Sequence, residues 1–305
     1  MSAAETLSAA ATTTTSGQLS SLYDYAAYFA HDFWEDYGDP RVSKLPLMNG
    51  GPWKVAMISA AYVLFVKVIG PLYMKGRKPY DLRPLMLLHN SFLIGVNGCG
   101  FFVGLWVTNF GVDTWSCRKI DPNNSTLKET LAIYLGYVYF LTKIVDFADT
   151  VFFVLRKKHN QASFLHVFHH GVMPIMSAVG LKFYPAGYSG FLPIINIFVH
   201  AVMYSYYALA CAGEEMKKHL WWKKYITQIQ MIQFVLVFFH SLKAMIMPNC
   251  WPFILAFAEG LHAILFFHMF FSFYRRVYWN ATPANQVNNN NNALKNGQAV
   301  KDKQT

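Results

Sequence analysis

The sequence predicts an all-α membrane protein with seven transmembrane helices, and three observations support this fold class. Of the 305 residues, 54% are hydrophobic and only 14% are charged, whereas a soluble domain carries about 25% charged residues. Apolar segments of about 20 residues, the length that crosses a bilayer, recur seven times. Basic residues concentrate between alternate apolar segments, as expected for the cytosolic loops of a polytopic protein.

Two other classes of protein are excluded by the same composition. The net charge of +10 would suggest nucleic-acid binding in a soluble protein, but so few charged residues cannot cover a large solvated surface. Four cysteines among 305 residues are also too few for an extracellular disulfide scaffold.

The chain divides into three predicted regions. Residues 1–50 form a luminal N-terminal segment whose Ala-, Thr- and Ser-rich part, 1–22, is expected to be disordered. Residues 51–275 form the seven-span domain, and the polar residues 276–305 form a disordered cytosolic tail. The predicted spans are 54–73, 85–107, 130–154, 163–182, 188–210, 222–242 and 251–274.

Loop charge predicts the orientation of these spans. Thirteen basic residues lie in alternate loops, which the positive-inside rule assigns to the cytosol, so the N-terminus is luminal and the C-terminus cytosolic. Glycosylation sequons at Asn123 and Asn124 fall in a loop assigned to the lumen. Lys301 and Lys303 match the spacing of a dilysine retrieval signal, which indicates the endoplasmic reticulum membrane.

Two cysteines also fall in loops assigned to the lumen. Cys117 and Cys250 lie in a compartment where a disulfide can persist. The sequence leaves open whether they form a bridge or remain two free thiols.

Ionisable side chains inside a span cost roughly 2.5–3.5 kcal/mol on insertion scales, so they need an explanation. In the third span, Lys143, Asp146 and Thr150 lie within about 60° of one another on a helix that turns 100° per residue. Asp149 lies at the edge of that face. A salt bridge between Lys143 and Asp146, three residues apart, would explain the charges without a function.

The fourth span contains the sequence His166-Val167-Phe168-His169-His170. Its three histidines cover about 100° of one helix face. One buried histidine is usually a core residue whose ring nitrogens are hydrogen-bonded. Three histidines among five consecutive residues of an apolar span indicate metal ligation or imidazole catalysis.

Polar residues also share a face in the fifth and sixth spans. Hydrogen bonding between helices would explain them without a catalytic role. For His240, Glu259, His262 and His268 no pattern is evident, and core packing is the better interpretation. The two polar faces consist of Asn196, His200, Tyr204 and Tyr207, and of Lys223, Thr227, Gln230 and Gln233.

Four polar faces on neighbouring spans converge most simply on one interior cavity. The histidine box follows the basic segment Arg156-Lys157-Lys158 within a few residues, and Gln161 lies between them. A basic cytosolic rim above an apolar cavity suits a ligand with phosphates outside and a hydrocarbon chain within. Coenzyme A thioesters have this construction.

Five motifs occur in this order: Lys143-x-x-Asp146-x-x-Asp149-Thr150, Leu155-Arg156-Lys157-Lys158, the histidine box, Asn196-x-x-x-His200-x-x-Met203-Tyr204-x-Tyr206-Tyr207, and Thr227-x-x-Gln230-x-x-Gln233. With these motifs the chain resembles the very-long-chain fatty acid elongases, membrane condensing enzymes of the endoplasmic reticulum. The similarity covers residues 50–275. One departure is that the family often has Glu where this chain has Asp146, which shortens the carboxylate by one methylene.

The resemblance implies both a fold and a reaction. Helices 2–7 are expected to form a ring around an acyl-chain tunnel. A long-chain acyl-CoA and malonyl-CoA condense to a 3-oxoacyl-CoA two carbons longer, with release of CO2 and CoA. This is the first, rate-setting step of very-long-chain fatty acid synthesis. The implied partners are the ketoacyl-CoA reductase, the dehydratase and the enoyl-CoA reductase of the same cycle, and no metal or other cofactor is implied.

The resemblance also implies roles for particular residues. His169, the second histidine of the box, is the expected nucleophile, assisted by His166, His170, His200 and Asn196. The expected substrate and CoA contacts are Lys143, Arg156, Lys158, Gln161, Lys223, Thr227 and Gln230. The expected supporting polar network is Asp146, Asp149, Thr150, Tyr204 and Gln233.

Two rival functions use some of the same features. A membrane di-iron desaturase or hydroxylase also uses an HxxHH box, but it needs about eight histidine ligands from several boxes, and this chain has one box. A seven-span receptor or transporter would explain intramembrane charges in general terms. It would leave the box and the basic rim unexplained.

Overall fold

The computed structural model describes residues 22–117, 126–158, 160–247 and 250–279, and the regular structure within these ranges is helical throughout. Asn123, Asn124, Lys301 and Lys303 lie outside them, as do residues 1–21 and 280–305. The predicted glycosylation, retrieval signal and disordered ends therefore stay predictions.

Twelve α-helices lie within the described ranges. Short 3-10 or π-helical segments extend or connect several of them, including Tyr28–Asp32, Phe65–Ile69, Val112–Trp115, Gly187–Gly190, Glu214–His219 and Arg275–Trp279. The α-helices are α1 (Leu22–Ala27), α2 (Phe33–Tyr37), α3 (Pro40–Ser43), α4 (Trp53–Leu64), α5 (Gly70–Met74), α6 (Arg83–Val107), α7 (Leu127–Val145), α8 (Phe147–Leu155), α9 (Phe164–Phe183), α10 (Phe191–Cys211), α11 (Lys223–Ile246) and α12 (Phe253–Tyr274).

Six helical segments are long and apolar enough to cross a membrane, and they coincide with six of the seven predicted spans. They are Trp53–Met74, Arg83–Val107, Phe164–Phe183, Gly187–Cys211, Lys223–Ile246 and Phe253–Trp279. The chain is therefore a multi-pass membrane protein. The remaining predicted span, 130–154, corresponds to α7 and α8. It is interrupted at Asp146 and carries internal charges, which is why composition alone does not identify it.

The outward faces of the long helices are apolar, as a lipid environment requires. Leu88 is 67% exposed, Phe102 is 72% exposed and Ile254 is 67% exposed. Side chains of this kind would be unfavourable over such an area in water. The buried polar residues lie on the opposite, inward faces.

The long helices pack in a closed order. α6 packs on α10, α10 on α11, α11 on α12, α12 on α9, α9 on α7, and α7 on α6. α4 packs outside this circuit against α9, and α5 packs against α8. Gly70 allows α5 to lie this close to α8, because a β-carbon at Gly70 would lie 2.7 Å from a methyl group of Val154.

Local signals in the sequence fix the starts of two helices that carry site residues. Thr126 and Glu129 form a reciprocal capping box at the start of α7. The hydroxyl of Ser163 accepts a hydrogen bond from the His166 N–H at 3.3 Å, which caps α9 just before the histidine box. Pro174 lies within α9 and cannot donate a hydrogen bond to the His170 carbonyl one turn earlier.

The N-terminal segment is held to the bundle by a lysine at the end of α9. Lys182 is 1% exposed, and its ammonium group donates to Glu35 at 2.9 Å, to Ser43 at 2.6 Å and to the Met48 carbonyl at 3.1 Å. Burial by itself would raise the pKa of Glu35, but hydrogen bonds from Lys182, the Gly50 N–H and Ser43 outweigh it and lower that pKa to about 2. The ionised pair therefore fastens the segment to the bundle.

Candidate functional site

A buried lysine connects two helices at the centre of the bundle. Lys143 of α7 is 2% exposed. Its ammonium group donates to Asn196 Oδ1 at 2.9 Å and lies 3.3 Å from His200 Nδ1, both on α10. It also lies 3.4 Å from an Asp146 oxygen. The pair with Asp146 thus exists, but it is one contact among several, and the shortest contact crosses between helices.

Two carboxylates share one tyrosine hydroxyl beside this lysine. The Tyr204 hydroxyl lies 2.8 Å from Asp146 Oδ1 and 2.8 Å from Asp149 Oδ2. A phenol has a single proton, so Tyr204 donates to one carboxylate at a time. His89 Nε2 lies 3.2 Å from the other oxygen of Asp149. These contacts make one continuous polar network from α6 through α8 and α10 to α7.

Further contacts anchor the edges of this network. The Tyr62 hydroxyl lies 2.8 Å from Thr150 Oγ1, which joins α4 to α8. The Asn196 amide donates to Gln233 Oε1 at 3.4 Å, which joins α10 to α11. Thr150 is fully buried and Gln233 is 4% exposed, so both act as interior links between helices.

The three histidines of the box lie together at the start of α9. The His166 and His170 ring centroids are 4.2 Å apart, and those of His169 and His170 are 5.7 Å apart. Among the described residues, His166 Nε2 and His169 Nδ1 are buried nitrogens without a hydrogen-bond partner. A buried imidazole nitrogen without a partner keeps a free lone pair or an unused N–H, as a reacting group requires.

The box and the Lys143 network face the same interior region. α9, which carries the box, packs on α7, which carries Lys143, and both His170 and Lys143 are buried. The ring of Phe266 on α12 lies 4.8 Å from that of His169. The structure therefore brings together the polar faces of α7, α9 and α10 that the sequence predicts to converge.

A cavity begins about one turn beyond His169. It has a volume of about 140 Å³ and lies between α6, α7, α9, α10 and α12. Its wall is mostly apolar, with Met173, Met176 and Leu181 contributed by α9. A hydrocarbon chain attached near His169 could extend into it.

The predicted CoA-binding residues lie at the other end of the histidine box. Arg156 immediately follows α8 and is half-buried, with one guanidinium nitrogen 3.0 Å from the Met86 sulfur. Lys158 and Gln161 are exposed in the segment between α8 and α9, and Lys223 is exposed at the start of α11. These residues form a basic end of the bundle, where a polyanionic head group has access.

Three predicted substrate contacts are less accessible than expected. Lys143 is enclosed by its partners, as described above. Thr227 is 6% exposed, and the Gln230 amide is half-buried with a contact of 3.6 Å to the Met203 sulfur. These three residues therefore line the interior and do not belong to the basic end.

Sequence reasoning missed two residues of the site. His89 and Tyr62 enter the network from α6 and α4, although neither belongs to a motif. An ionisable residue inside the second predicted span was the available signal for His89. For Tyr62 no signal is evident, because a tyrosine in an apolar span is unremarkable.

The opposite end of the bundle carries the disulfide. The structure joins Cys117 to Cys250. This bond ties the segment after α6 to the segment before α12, and we refer to this region as the disulfide end. In the described part of the chain, no group of three or more His, Cys, Asp or Glu side chains is arranged to hold a metal ion.

Comparison with known proteins gives one consistent family. The model of the ELO (GNS1/SUR4) family matches residues 47–286. The chain is 39% identical over 263 residues to very long chain fatty acid elongase 7 of Drosophila melanogaster, and the aligned region covers 84% of this chain and 78% of that protein. It is 38% identical over 248 residues to very long chain fatty acid elongase 1 of Mus musculus, with coverages of 79% and 87%. It is 35% identical over 278 residues to elongase 4 of the same species, with coverages of 86% and 87%.

The chain therefore belongs to the ELO (GNS1/SUR4) family. By that membership it is a fatty acid elongase, an acyltransferase of the 3-oxoacyl-CoA synthase type. The desaturase and transporter alternatives are not favoured.

Proposed function

We propose that the protein condenses a long-chain acyl-CoA with malonyl-CoA through a covalent acyl intermediate on His169. The observation that carries this proposal is the position of His169. Its buried Nδ1 has no partner among the described residues, and its ring lies between the basic end of the bundle and a mostly apolar cavity. The thioester carbon can then reach the imidazole while the hydrocarbon chain enters the cavity and the CoA phosphates stay outside.

The first half-reaction transfers the acyl group to the enzyme. A lone pair of neutral His169 attacks the thioester carbonyl carbon, and the carbon–sulfur bond breaks as CoA leaves as a thiolate. The second half-reaction begins when malonyl-CoA loses CO2 and becomes an enolate. The enolate carbon attacks the acyl carbon, the carbon–nitrogen bond to His169 breaks, and the imidazole returns to its neutral form.

Both half-reactions develop negative charge on oxygen, which needs donors fixed in advance. We assign that task to His166, His200 and Asn196. The contacts of Lys143 with Asn196 and His200 hold those side chains in place. Asp146, Asp149 and Tyr204 hold Lys143 in turn, and His170 orients the box. The buried surroundings exclude water, which would otherwise hydrolyse the acyl-imidazole.

The basic end of the bundle is the proposed CoA site. Arg156, Lys158 and Lys223 offer cationic groups to the phosphates, and Gln161 offers an amide from an exposed segment. Because the same entrance serves both thioesters, CoA must leave before malonyl-CoA enters. A ping-pong kinetic pattern is therefore expected.

We propose that α7 and α8 together make the third of seven spans, and that spans two to seven form a ring around an acyl-chain tunnel. The closed packing order of the long helices supports this proposal. The charges that lower the hydropathy of α7 and α8 are paired inside the bundle, so the segment can cross a membrane despite them.

In the proposed orientation the disulfide end faces the lumen of the endoplasmic reticulum and the basic end faces the cytosol. A disulfide at the luminal end and basic residues at the cytosolic end both agree with this assignment. The reductases and the dehydratase of the elongation cycle are the proposed partners, because a 3-oxoacyl-CoA must be reduced and dehydrated before another round.

Mass spectrometry tests the covalent step. Purified protein is incubated with acyl-CoA alone, without malonyl-CoA, and digested for peptide mapping. We expect an acyl adduct on His169 and none in His169→Gln. His268→Gln is the matched control, since this histidine lies on α12 outside the box, and it should keep the adduct. Elongation without any adduct on His169 would contradict the covalent mechanism.

A further inference from the structure

The cavity beyond His169 contains polar side chains that the condensation does not use. Most of its wall is apolar, as Met176 and Leu255 illustrate, but Tyr139 and Glu259 also line it. A cavity that only accommodates a saturated chain needs no carboxyl or phenol. These two residues therefore need their own explanation.

Glu259 lies on α12 and is 9% exposed. Its Oε2 accepts a hydrogen bond of 2.7 Å from the Ser241 hydroxyl on α11. A carboxyl group has two oxygens with several acceptor positions, so the single bond to Ser241 leaves capacity for a second donor. An acidic residue inside a membrane helix is costly, and it marks a functional position by default.

Tyr139 lies on α7, on the other side of the cavity, and is 6% exposed. Among the described residues, its buried hydroxyl has no hydrogen-bond partner. A buried hydroxyl left without a partner is unfavourable, because it has lost its hydrogen bonds to water. Tyr139 and Glu259 both line this cavity, from α7 and α12 respectively. An unused phenol and a carboxyl with spare capacity thus face the same small space.

The position of these groups defines which part of a substrate they meet. The Phe266 ring contacts the His169 ring, and Glu259 lies seven residues earlier on the same helix as Phe266. Seven residues of α-helix correspond to about 10 Å along the axis. Glu259 therefore faces the middle of a long acyl chain, well away from the thioester.

We propose that the Tyr139–Glu259 pair recognises a hydroxyl group in the middle of the acyl chain, so that hydroxylated long-chain acyl-CoAs are substrates. This inference rests on the proposed function, because it places the acyl chain in the cavity beyond His169. A chain hydroxyl can donate to the Glu259 carboxyl and accept from the Tyr139 phenol. An unsubstituted chain leaves both groups without that partner.

A competition assay tests the proposal. Full-length protein receives malonyl-CoA and an equimolar mixture of stearoyl-CoA and a stearoyl-CoA with a mid-chain hydroxyl, and mass spectrometry gives the ratio of the two products. We expect the hydroxylated product to exceed the other by about tenfold, the factor that corresponds to roughly 1.4 kcal/mol of hydrogen bonding. A substrate with its hydroxyl next to the thioester should show no such preference.

Variants identify the responsible groups. Tyr139→Phe and Glu259→Leu should each bring the ratio close to one. Glu259→Gln keeps an acceptor for Ser241 and should give an intermediate ratio, which guards against misfolding as the cause. Leu261→Met changes an exposed apolar residue on α12 that lies outside the cavity wall, and it should keep the ratio of the wild-type protein.

The outcomes separate this inference from the proposed function. Elongation of both substrates with a ratio near one in the unmodified protein would overturn the hydroxyl site, and it would leave the condensation reaction intact. A ratio above one that Tyr139→Phe and Glu259→Leu do not change would also overturn it. Failure to elongate either substrate, with no adduct on His169, would reject the proposed function and this inference together.

Discussion

Filling the cavity at Gly180 should shorten the longest product that the enzyme makes. Gly180 lies on α9 and lines the cavity. A β-carbon placed there would meet no neighbouring atom within 4 Å. It is eleven residues beyond His169 on the same helix, or about 16 Å along the axis. A leucine side chain at this position would therefore block the cavity at that depth.

The expected magnitude follows from the burial of methylene groups. Each CH2 that moves from water into an apolar site contributes about 0.8 kcal/mol. A substrate chain that reaches the leucine loses about 1.6 kcal/mol for every two carbons that can no longer enter. Since 1.4 kcal/mol is tenfold in affinity, each two-carbon step beyond the block should weaken binding by slightly more than tenfold. Shorter chains should bind as before.

The assay compares product distributions in membranes supplied with acyl-CoAs of graded length. Gly180→Leu should stop the product series earlier, with an abrupt loss of the longest products. Gly95→Leu is the matched control, because Gly95 lies on an exposed face of α6 and also has open space around its β-carbon position. Neither change should harm helix formation, since leucine favours helix over glycine by about 1 kcal/mol. An unchanged product distribution in Gly180→Leu would show that the acyl chain does not occupy this cavity.

Three further predictions concern the buried contacts. Tyr204→Phe removes a hydrogen bond to a charged group, worth about 1.5–3 kcal/mol. Tm should therefore fall, and kcat should drop tenfold or more. Unchanged values would argue against the network. Lys143→Met and Asp146→Asn should each lower the free energy of unfolding by about 3–5 kcal/mol, because one buried charge loses its partner. In thermal melts the double variant should lose less stability than the two single variants lose together. Additive losses would contradict the pairing. The depressed pKa of Glu35, about 2, means that its bond to Lys182 stabilises the fold above the ordinary value of 4.5 and is lost as the pH falls from there toward 2. The Tm deficit of Glu35→Gln at neutral pH should therefore shrink below pH 4.5, and a deficit that does not change with pH would refute this account.

Six of the seven predicted spans and the shared face of the histidine box could be predicted, because both depend on local sequence. A bilayer requires about 20 apolar residues wherever a helix crosses it, and helical periodicity places His166, His169 and His170 on one face. The same periodicity groups Asn196, His200 and Tyr204. The convergence of these faces in the structure follows from the strong penalty for exposing such side chains to lipid.

The break at Asp146 and the pairing of Lys143 could not be predicted in the same way. Sequence spacing suggests a pair between these two residues, because residues three apart are neighbours on a helix. The structure adds Asn196 and His200 as partners of Lys143, at 2.9 and 3.3 Å. Contacts between helices depend on how those helices pack and rotate, and local periodicity does not determine that.

The sequence by itself determined the class of protein and the six helical segments long and apolar enough to cross a membrane. The orientation of the chain and the chemistry of the box stay predictions. The tertiary structure decided which distant residues meet, including His89 with Asp149, Lys182 with Glu35, and Glu259 with Ser241. Glu259 shows the difference most clearly, because core packing was its best interpretation from sequence, whereas its place in the cavity wall indicates a ligand. The physical reason is that hydropathy and periodicity act within one helix, while a binding site is formed by side chains that several packed helices bring to one point.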